Sequence, residues 1–184
     1  MNQEMQTIVV TGGASGIGRS IAQCFASRSW RVVIADIDST RGRLEEQRLL
    51  ENGYSVLFRE TDISHEQQVS SLVDATLERF GQVDALCNNA GIEIYRRADE
   101  YTMAEWDLIH NVNLRGAFLC SKLFFPALER RQGSIVNISS VQAFANETNI
   151  AAYTSAKAGL LGLTRSMARD FAAMDVRVNA VCPP

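Results

Sequence analysis

Tyr153 and Lys157 lie four residues apart in a segment of helical period, and Ser140 precedes the tyrosine by thirteen residues. On a helix, a spacing of four places the phenol and the ammonium on one face, where the positive charge favours the phenolate. A phenolate can take a proton from an alcohol, and a phenol can give one to a carbonyl. Ser140 follows a predicted buried strand and is placed to hydrogen-bond the substrate oxygen.

The Tyr153 phenol needs help to act as a base near neutral pH, because its ordinary pKa is about 10. Lowering that pKa by about three units requires about 4 kcal/mol of differential stabilisation. Lys157 and the positive ring of an oxidised nicotinamide would supply this stabilisation in a partly desolvated cleft. An isolated Tyr-x-x-x-Lys is more often two neighbouring side chains on the exposed face of a helix. The catalytic interpretation therefore depends on a cofactor site elsewhere in the chain.

A glycine-rich segment near the N-terminus provides such a site. Gly12, Gly16 and Gly18 follow a β-branched run and lead into a helical segment that begins near Ile17. In a strand-to-helix turn, Gly12 permits the tight turn, Gly16 lets a pyrophosphate approach the backbone, and Gly18 allows close helix packing. The helix N-terminus attracts the anion. A tight turn that binds no ligand is the alternative interpretation.

Asp36 ends the second predicted strand, eighteen residues after Gly18. A carboxylate at this position can accept hydrogen bonds from the hydroxyls of an adenosine ribose. It would repel a 2′-phosphate, and neither Ser15 nor Ile37 supplies a compensating cation, so the sequence favours NAD over NADP. Asp62, after the third strand, is either an adenine contact or a turn residue.

The elements that position these residues alternate between short β-branched runs and longer runs of helical period, which is typical of βαβ units. Strands are predicted at 7–11, 31–36, 54–60, 85–88, 134–139 and 177–181, and helices at 16–28, 39–52, 66–80, 102–131 and 153–173. Ser64 and Thr102 are predicted helix N-caps, and Gly53 a C-terminal glycine. The crossover rule then predicts an α/β fold with a doubly wound parallel sheet in the order 3-2-1-4-5-6 and a ligand crevice at the carboxyl ends of the first and fourth strands.

Bulk composition is that of an ordinary soluble domain. The 184 residues are 46% hydrophobic and 21% charged, and the net charge of -3 gives no electrostatic reason to expect nucleic acid. The apolar stretch 117–128 is too short to cross a membrane. The cysteines, Cys24, Cys87, Cys120 and Cys182, have no metal-ligand spacing, so we expect no metal, reduced and mostly buried thiols, and a cytoplasmic location.

Together these motifs resemble the short-chain dehydrogenase/reductase family, of the single-domain NAD-binding type, over essentially the whole sequence. The Thr-Gly-x-x-x-Gly-x-Gly stretch of that family matches 11–18, and its Asn-Asn-Ala-Gly matches 88–91. Ser140, Tyr153 and Lys157 match its catalytic residues, and Asn113 matches the asparagine that completes a tetrad. The resemblance implies a Rossmann fold and hydride transfer between NAD and a secondary alcohol or ketone.

The resemblance also implies roles for single residues. Asn113 would bend the long helix and hold a water that relays protons from Lys157, and Lys157 would bind the nicotinamide ribose. The expected cofactor contacts are Gly12, Ser15, Gly16, Ile17, Gly18, Asp36, Ile37, Asp62, Ile63, Asn89, Ala90, Gly91, Tyr153, Lys157 and Pro183. The expected substrate contacts are Ser140, Gln142, Tyr153 and Glu93, with Ile94, Phe144 and Asn149 nearby.

The sequence departs from the family pattern after its sixth predicted strand. Family members usually continue with Pro-Gly, a substrate-covering segment and a seventh strand, whereas this sequence stops at Pro183-Pro184. We therefore expect one dinucleotide-binding domain over 1–184 without the covering segment. Because all four tetrad residues are present, an active enzyme is favoured over an inactive nucleotide-binding module.

A scaffold that assembles as a homodimer or homotetramer through helices 102–131 and 153–173 is a further alternative. The apolar residues that would form its interface are Leu119, Leu123, Leu160 and Leu163. Burial against the sheet explains the same residues equally well. Oligomerisation would then accompany catalysis.

Overall fold

Six parallel strands form the centre of the structure, a computed structural model that describes residues 5–184. The strands are Thr7–Thr11 (β1), Arg31–Asp36 (β2), Val56–Glu60 (β3), Ala85–Asn88 (β4), Ser134–Ile138 (β5) and Arg177–Val181 (β6). Their order is β3-β2-β1-β4-β5-β6, which confirms the predicted Rossmann-type sheet. Because the order reverses between β1 and β4, the carboxyl ends of these strands border a crevice.

Six α-helices connect the strands: Gly16–Ala26 (α1), Ser39–Glu51 (α2), Glu66–Phe80 (α3), Met103–His110 (α4), Ala117–Arg130 (α5) and Ala151–Asp170 (α6). The prediction of one continuous α-helix at 102–131 is wrong. A π-helical segment, Asn111–Gly116, separates α4 from α5. Such segments are rare and widen the helix locally, which allows Asn113 inside it to bond a distant loop.

Both faces of the sheet are covered, as a parallel sheet requires. Alternate residues of β1 point to opposite faces, so Val9 belongs to the same buried cluster as Phe124 of α5, and Ile8 to the same buried cluster as Ala22 of α1. Every residue of β1 is buried. The burial of this strand fixes the position of the glycine loop that follows it.

Local signals predicted some helix ends and missed others. Thr102 caps α4 in a capping box with Glu105, and Gly53, with φ of 81°, follows the end of α2, both as predicted. The predicted Ser64 cap is wrong, because His65 occupies the N-cap of α3 and the Ser64 hydroxyl bonds the Asp62 carboxylate instead.

The cysteines are all free thiols, and burial raises the pKa of Cys87 and Cys120 to about 12. Cys24 is exposed, unlike the buried environment expected for most of them. Within residues 5–184, no helix combines the length and apolar character needed to cross a bilayer. The same part of the chain contains no cluster of His, Cys, Asp and Glu that could hold a metal ion.

Candidate active site

A cavity of 510 Å³ opens at the carboxyl ends of β1, β2 and β4, and we call it the glycine-loop groove. Its lining includes most of the expected cofactor contacts: Gly12, Ser15, Gly16, Ile17, Asp36, Ile37, Asp62, Ile63, Asn89, Ala90 and Gly91. Thr61, Ile92, Leu108 and Val112 also line it and were not predicted. No local motif marks these residues, since they reach the groove only through the sheet order and the packing of α4.

The glycine loop has the backbone geometry of a phosphate cradle. Gly12 has φ of 64°, and a Cβ on it would lie 2.8 Å from the Ala90 Cα. Gly16 has φ of 51°, and a Cβ there would meet nothing within 4 Å, so its backbone faces open space. Any side chain on Gly18 would overlap the Gly12 carbonyl and Asn89. The loop is thus closed towards the protein and open towards a ligand.

The first turn of α1 is available to an anion. Ser15 occupies the N-cap, but its side chain makes no capping hydrogen bond, and no acidic residue lies in the first turn. The leading backbone N–H groups of a helix lack partners inside the helix and carry partial positive charge. These groups and the open backbone at Gly16 fit a pyrophosphate.

Asp36 is held rigidly at the edge of the groove. One carboxylate oxygen, Oδ2, accepts from the Ala14 backbone N at 3.0 Å, and the other, Oδ1, accepts from the Asp38 backbone N at 3.0 Å. A carboxylate oxygen can accept more than one hydrogen bond. Asp36 can therefore accept ribose hydroxyls without releasing the glycine loop.

Asn89 lies outside the glycine loop and supports the backbone of the loop by hydrogen bonds. Its side-chain Nδ2 donates to the carbonyl oxygens of Thr11 and Gly12, at 3.0 and 3.1 Å. The Thr11 hydroxyl in turn accepts from the backbone N of Asn89 and Ala90, both at 3.1 Å. The motifs at 11–18 and 88–91 therefore support each other directly.

Asp62 is a turn residue. Its Oδ1 accepts from the backbone N and the hydroxyl of Ser64, and its Oδ2 lies 3.1 Å from His65 Nδ1. Partial burial raises the pKa of this carboxyl, but the Ser64 hydrogen bonds and the His65 charge together hold it below its ordinary value. An adenine contact, the other interpretation, stays a prediction.

A second cavity, of 280 Å³, lies at the carboxyl ends of β4 and β5, and we call it the tyrosine cavity. It is lined by Ile17, Asn89, Gly91, Ile92, Glu93, Ile138, Ser139, Ser140, Tyr153, Lys157, Pro183 and Pro184. Ile17, Asn89, Gly91 and Ile92 also line the glycine-loop groove, so the two cavities adjoin. The serine, tyrosine and lysine predicted from spacing therefore meet beside the predicted cofactor site.

Tyr153 is half-buried and lines the cavity beside Ser140. Burial raises the pKa of the phenol, the Ser140 hydrogen bond lowers it, and the charge of Glu93 raises it, so the pKa lies above its ordinary value overall. The predicted lowering by Lys157 is therefore not found in the chain alone. The Lys157 Nζ lies 5.6 Å from the centre of the phenol ring and is directed to a backbone carbonyl.

Lys157 is almost completely buried, with 3% of its surface exposed. Its Nζ donates to the Ile138 carbonyl oxygen at 2.7 Å, and desolvation lowers its pKa to about 8. A lysine with this pKa is still mostly protonated at pH 7. It therefore brings a desolvated positive charge to the floor of the tyrosine cavity.

Asn113 lies in the π-helical segment and is 1% exposed. Its Oδ1 accepts from the Ile92 backbone N at 3.0 Å, and its Nδ2 donates to the Ile92 carbonyl oxygen at 2.8 Å. A Cβ on Gly91 would lie 2.7 Å from the Asn113 Oδ1 and 3.4 Å from the Lys157 Nζ. Asn113 and Lys157 thus flank the same glycine. The π-helical segment interrupts the long helix where the bend was expected, and both the bend and the proton relay stay predictions.

The expected substrate contacts divide into two groups. Glu93, Ser140 and Tyr153 line the tyrosine cavity, as does Pro183. Gln142 does not line it, because its amide oxygen accepts from the Glu147 backbone N at 2.9 Å. Among the residues expected nearby, Ile94 packs with the Ile109 cluster, Phe144 is 74% exposed, and the Asn149 carbonyl accepts from the Arg96 N. None of these three lines the cavity.

The sheet order and the two adjoining cavities define a Rossmann-fold oxidoreductase. A family model described as short chain dehydrogenase matches residues 6–184. The chain belongs to this family. The family and the fold predicted from the sequence are confirmed, and of the predicted enzyme class the oxidoreductase assignment is supported.

Individual relatives support the same assignment. An uncharacterized oxidoreductase of Thermotoga maritima is 39% identical over 98% of this chain and 71% of its own length. The cis-4-hydroxycyclohexanecarboxylate dehydrogenase of Sinomonas cyclohexanicum is 39% identical over 95% of this chain and 71% of its own. A crystal structure of a short-chain dehydrogenase/reductase from Burkholderia phymatum in complex with NAD superposes with a TM-score of 0.94, at 29% identity, over 100% of this chain and 66% of that one.

Proposed function

We propose that this protein interconverts a secondary alcohol and a ketone by NAD-dependent hydride transfer, with Tyr153 as general acid and base. The observation that carries this proposal is the meeting of Ser140, Tyr153 and Lys157 in one cavity that adjoins the glycine-loop groove. The Sinomonas relative, by its name, acts on a secondary ring alcohol, which supports this reaction class.

NAD would be held by the α1 N-terminus at its pyrophosphate, by Asp36 at the adenosine ribose and by Lys157 at the nicotinamide ribose. When bound, it supplies a hydride acceptor and a positively charged ring. The Ser140 hydroxyl orients the substrate oxygen, and the Tyr153 hydroxyl exchanges a proton with that oxygen. Lys157 contributes a buried positive charge that favours the phenolate.

In the chain alone Tyr153 stays protonated near neutral pH and cannot accept a proton, because burial and the Glu93 charge raise its pKa. Positive charge that arrives with the oxidised cofactor opposes both effects. We therefore expect Tyr153 to become an effective base only in the complex with NAD, which restricts proton removal to a site that is ready for hydride transfer.

Preference for NAD over NADP is part of the proposal. The Asp36 carboxylate is fixed by Ala14 and Asp38 and would face a 2′-phosphate with like charge. Arg41, on the first turn of α2, is exposed and pairs with Asp38 at 3.4 Å. The Burkholderia structure, which contains NAD, supports the same choice.

Calorimetric titration with NADH and with NADPH tests the cofactor site, and the absorbance of NADH formed from a panel of secondary alcohols tests the reaction. We expect tight NADH binding, much weaker NADPH binding and alcohol-dependent NADH formation. NADH binding without oxidation of any alcohol would favour the inactive nucleotide-binding module. Absence of binding by either cofactor would contradict the proposal.

We also propose that copies of the chain associate through α4, α5 and α6, in the cytoplasm. Leu119 and Leu160 are 4% and 1% exposed, so these two residues belong to the core, as the alternative explanation held. Phe118 is an exposed aromatic residue on α5, at 44%, and lines an open cleft with Leu114 and Leu163. An exposed apolar patch on paired helices is typical of an interface.

A further inference from the structure

The entrance of the tyrosine cavity carries a carboxylate. Glu93 lies two residues after Gly91 and lines the cavity together with Ser140 and Tyr153. Burial is the main cause of the raised pKa of Tyr153, and the Glu93 charge adds to it. The Glu93 carboxylate and the Tyr153 phenol therefore line one cavity, and the Glu93 charge acts on the phenol.

Tyr95 interacts with this carboxylate. The Glu93 charge is the largest cause of the raised pKa of Tyr95, and hydrogen bonding between the two side chains also raises it. Glu147 acts on Tyr95 by its charge as well, so a second carboxylate lies near the entrance. Tyr95 uses only part of the hydrogen-bonding capacity of the Glu93 carboxylate.

No described side chain neutralises this entrance. The Arg96 guanidinium pairs with Glu105 at 3.3 Å, and the Arg97 guanidinium pairs with Asp99. Lys157 is the one cation among the described residues that line the tyrosine cavity, and its Nζ is buried against the Ile138 carbonyl. A substrate that approaches Tyr153 therefore passes the Glu93 carboxylate, for which the described residues provide no ion-pair partner.

We propose that Glu93 determines specificity by accepting a hydrogen bond from a hydroxyl next to the reacting carbon, so that the substrate is an uncharged vicinal diol or the matching α-hydroxyketone. This inference rests on the proposed function. A carboxylate that accepts from a hydroxyl makes a short, charge-assisted hydrogen bond, whereas a carboxylate or phosphate on the substrate would meet like charge. A substrate with only hydrocarbon next to the reacting carbon would leave Glu93 without a hydrogen-bond donor.

The reaction with a vicinal diol balances without any further reactant. The C–H bond of the reacting carbon breaks and its electron pair leaves as hydride to NAD⁺, while the proton of the reacting hydroxyl passes to Tyr153. The second hydroxyl, held by Glu93, stays unchanged. The products are an α-hydroxyketone, NADH and one proton.

Four probes of one ring size test the inference: cis-1,2-cyclohexanediol, cyclohexanol, cis-2-hydroxycyclohexanecarboxylate and trans-2-aminocyclohexanol. The ratio of kcat/KM for the diol to that for cyclohexanol is measured in the wild-type protein, Glu93→Ala, Glu93→Gln and the control Glu147→Gln. We expect a wild-type ratio of about ten or more, which is the effect of one charge-assisted hydrogen bond. The ratio should fall towards one in Glu93→Ala and persist in Glu147→Gln.

Glu93→Gln keeps an acceptor and removes the charge, so it should retain part of the diol preference and gain relative activity on the carboxylate probe. Calorimetric titration of the diol and of cyclohexanol into the NADH complex gives a readout independent of turnover, with the same expected ordering. Equal binding of both probes, an unchanged ratio in Glu93→Ala, or preference for trans-2-aminocyclohexanol over the diol would overturn the inference.

The two proposals fail in different ways. If the wild-type protein binds NADH and oxidises alcohols without preference for the diol, the proposed function stands and the role of Glu93 is wrong. If it neither binds NADH nor oxidises any probe, the proposed function fails and the inference about Glu93 falls with it.

Discussion

The Lys157 ammonium donates a hydrogen bond to the carbonyl oxygen of Ile138, the last residue of β5, at 2.7 Å. The next residue, Ser139, donates from its hydroxyl to the Lys157 carbonyl oxygen at 2.9 Å. Both ends of the lysine are therefore tied to the end of one strand. This arrangement fixes α6 against the sheet and keeps a positive charge out of water.

Replacing Lys157 with Met should stabilise the fold while it abolishes function. Desolvation lowers the folded-state pKa from 10.5 to about 8, so burial of the ammonium opposes folding below pH 8. We expect the free energy of unfolding of Lys157→Met at pH 7, measured by urea denaturation, to exceed that of the wild type by about 1–3 kcal/mol. It should bind NADH poorly.

The pH dependence of this difference provides the check on its cause. Between pH 8 and 10.5 the unfolded chain binds more protons at Lys157 than the folded chain does, so wild-type stability rises with pH relative to the variant. The difference should therefore shrink across this window. Lys122→Met, at an exposed lysine, should show no such trend. A constant difference for Lys157→Met would contradict desolvation as the cause.

Tyr153→Phe should separate turnover from cofactor binding. The substitution removes only the hydroxyl that we propose exchanges the proton, and general acid–base catalysis contributes about 10²–10⁴-fold to a rate. We expect kcat to fall by about that factor, with NADH affinity nearly unchanged in a calorimetric titration. Tyr54→Phe, a partly buried tyrosine of the opposite core face, serves as control and should keep full activity. Undiminished turnover in Tyr153→Phe would exclude its proposed role.

The strand order and the assembly of the Ser140, Tyr153 and Lys157 group could be predicted from sequence because they depend on local periodicity and on short spacings. The π-helical segment could not, since it accompanies hydrogen bonds between Asn113 and Ile92, which come from separate segments of the chain. The direction of the Tyr153 pKa shift was missed for a similar reason. It depends on burial and on Glu93, whose position relative to the phenol is set by packing of the loop after β4.

Ile37→Arg should increase affinity for NADPH. Ile37 follows Asp36, lines the glycine-loop groove and is 67% exposed, so a longer side chain fits without repacking. A guanidinium there would partly offset the repulsion between Asp36 and a 2′-phosphate. We expect NADPH to bind about three- to tenfold more tightly, with NADH changed less. Leu44→Arg, equally exposed on α2, makes the same charge change outside the groove and should alter neither affinity.

Gly91→Ala should damage both stability and turnover. The added Cβ would lie 2.7 Å from the Asn113 Oδ1, which accepts from the Ile92 backbone. Because all three groups are packed together, we expect a loss of about 1–3 kcal/mol in the free energy of unfolding. Gly162→Ala, in α6 with its nearest atom at 3.9 Å, should instead gain about 0.4–1 kcal/mol. Equal effects of the two substitutions would show that close packing at Gly91 is not the cause.

Phe118→Glu should dissociate the proposed oligomer. Phe118 is 44% exposed on α5 and borders a cleft formed with Leu114, Leu163 and Gly159, so a partner helix would bury its ring. A carboxylate buried there without a partner would oppose association strongly. Sedimentation velocity should show a dimer or tetramer for the wild type and a smaller species for the variant. Leu50→Glu, on an exposed face of α2, should sediment like the wild type. A monomeric wild type would refute association through this surface, and an unchanged Phe118→Glu oligomer would assign assembly to another face.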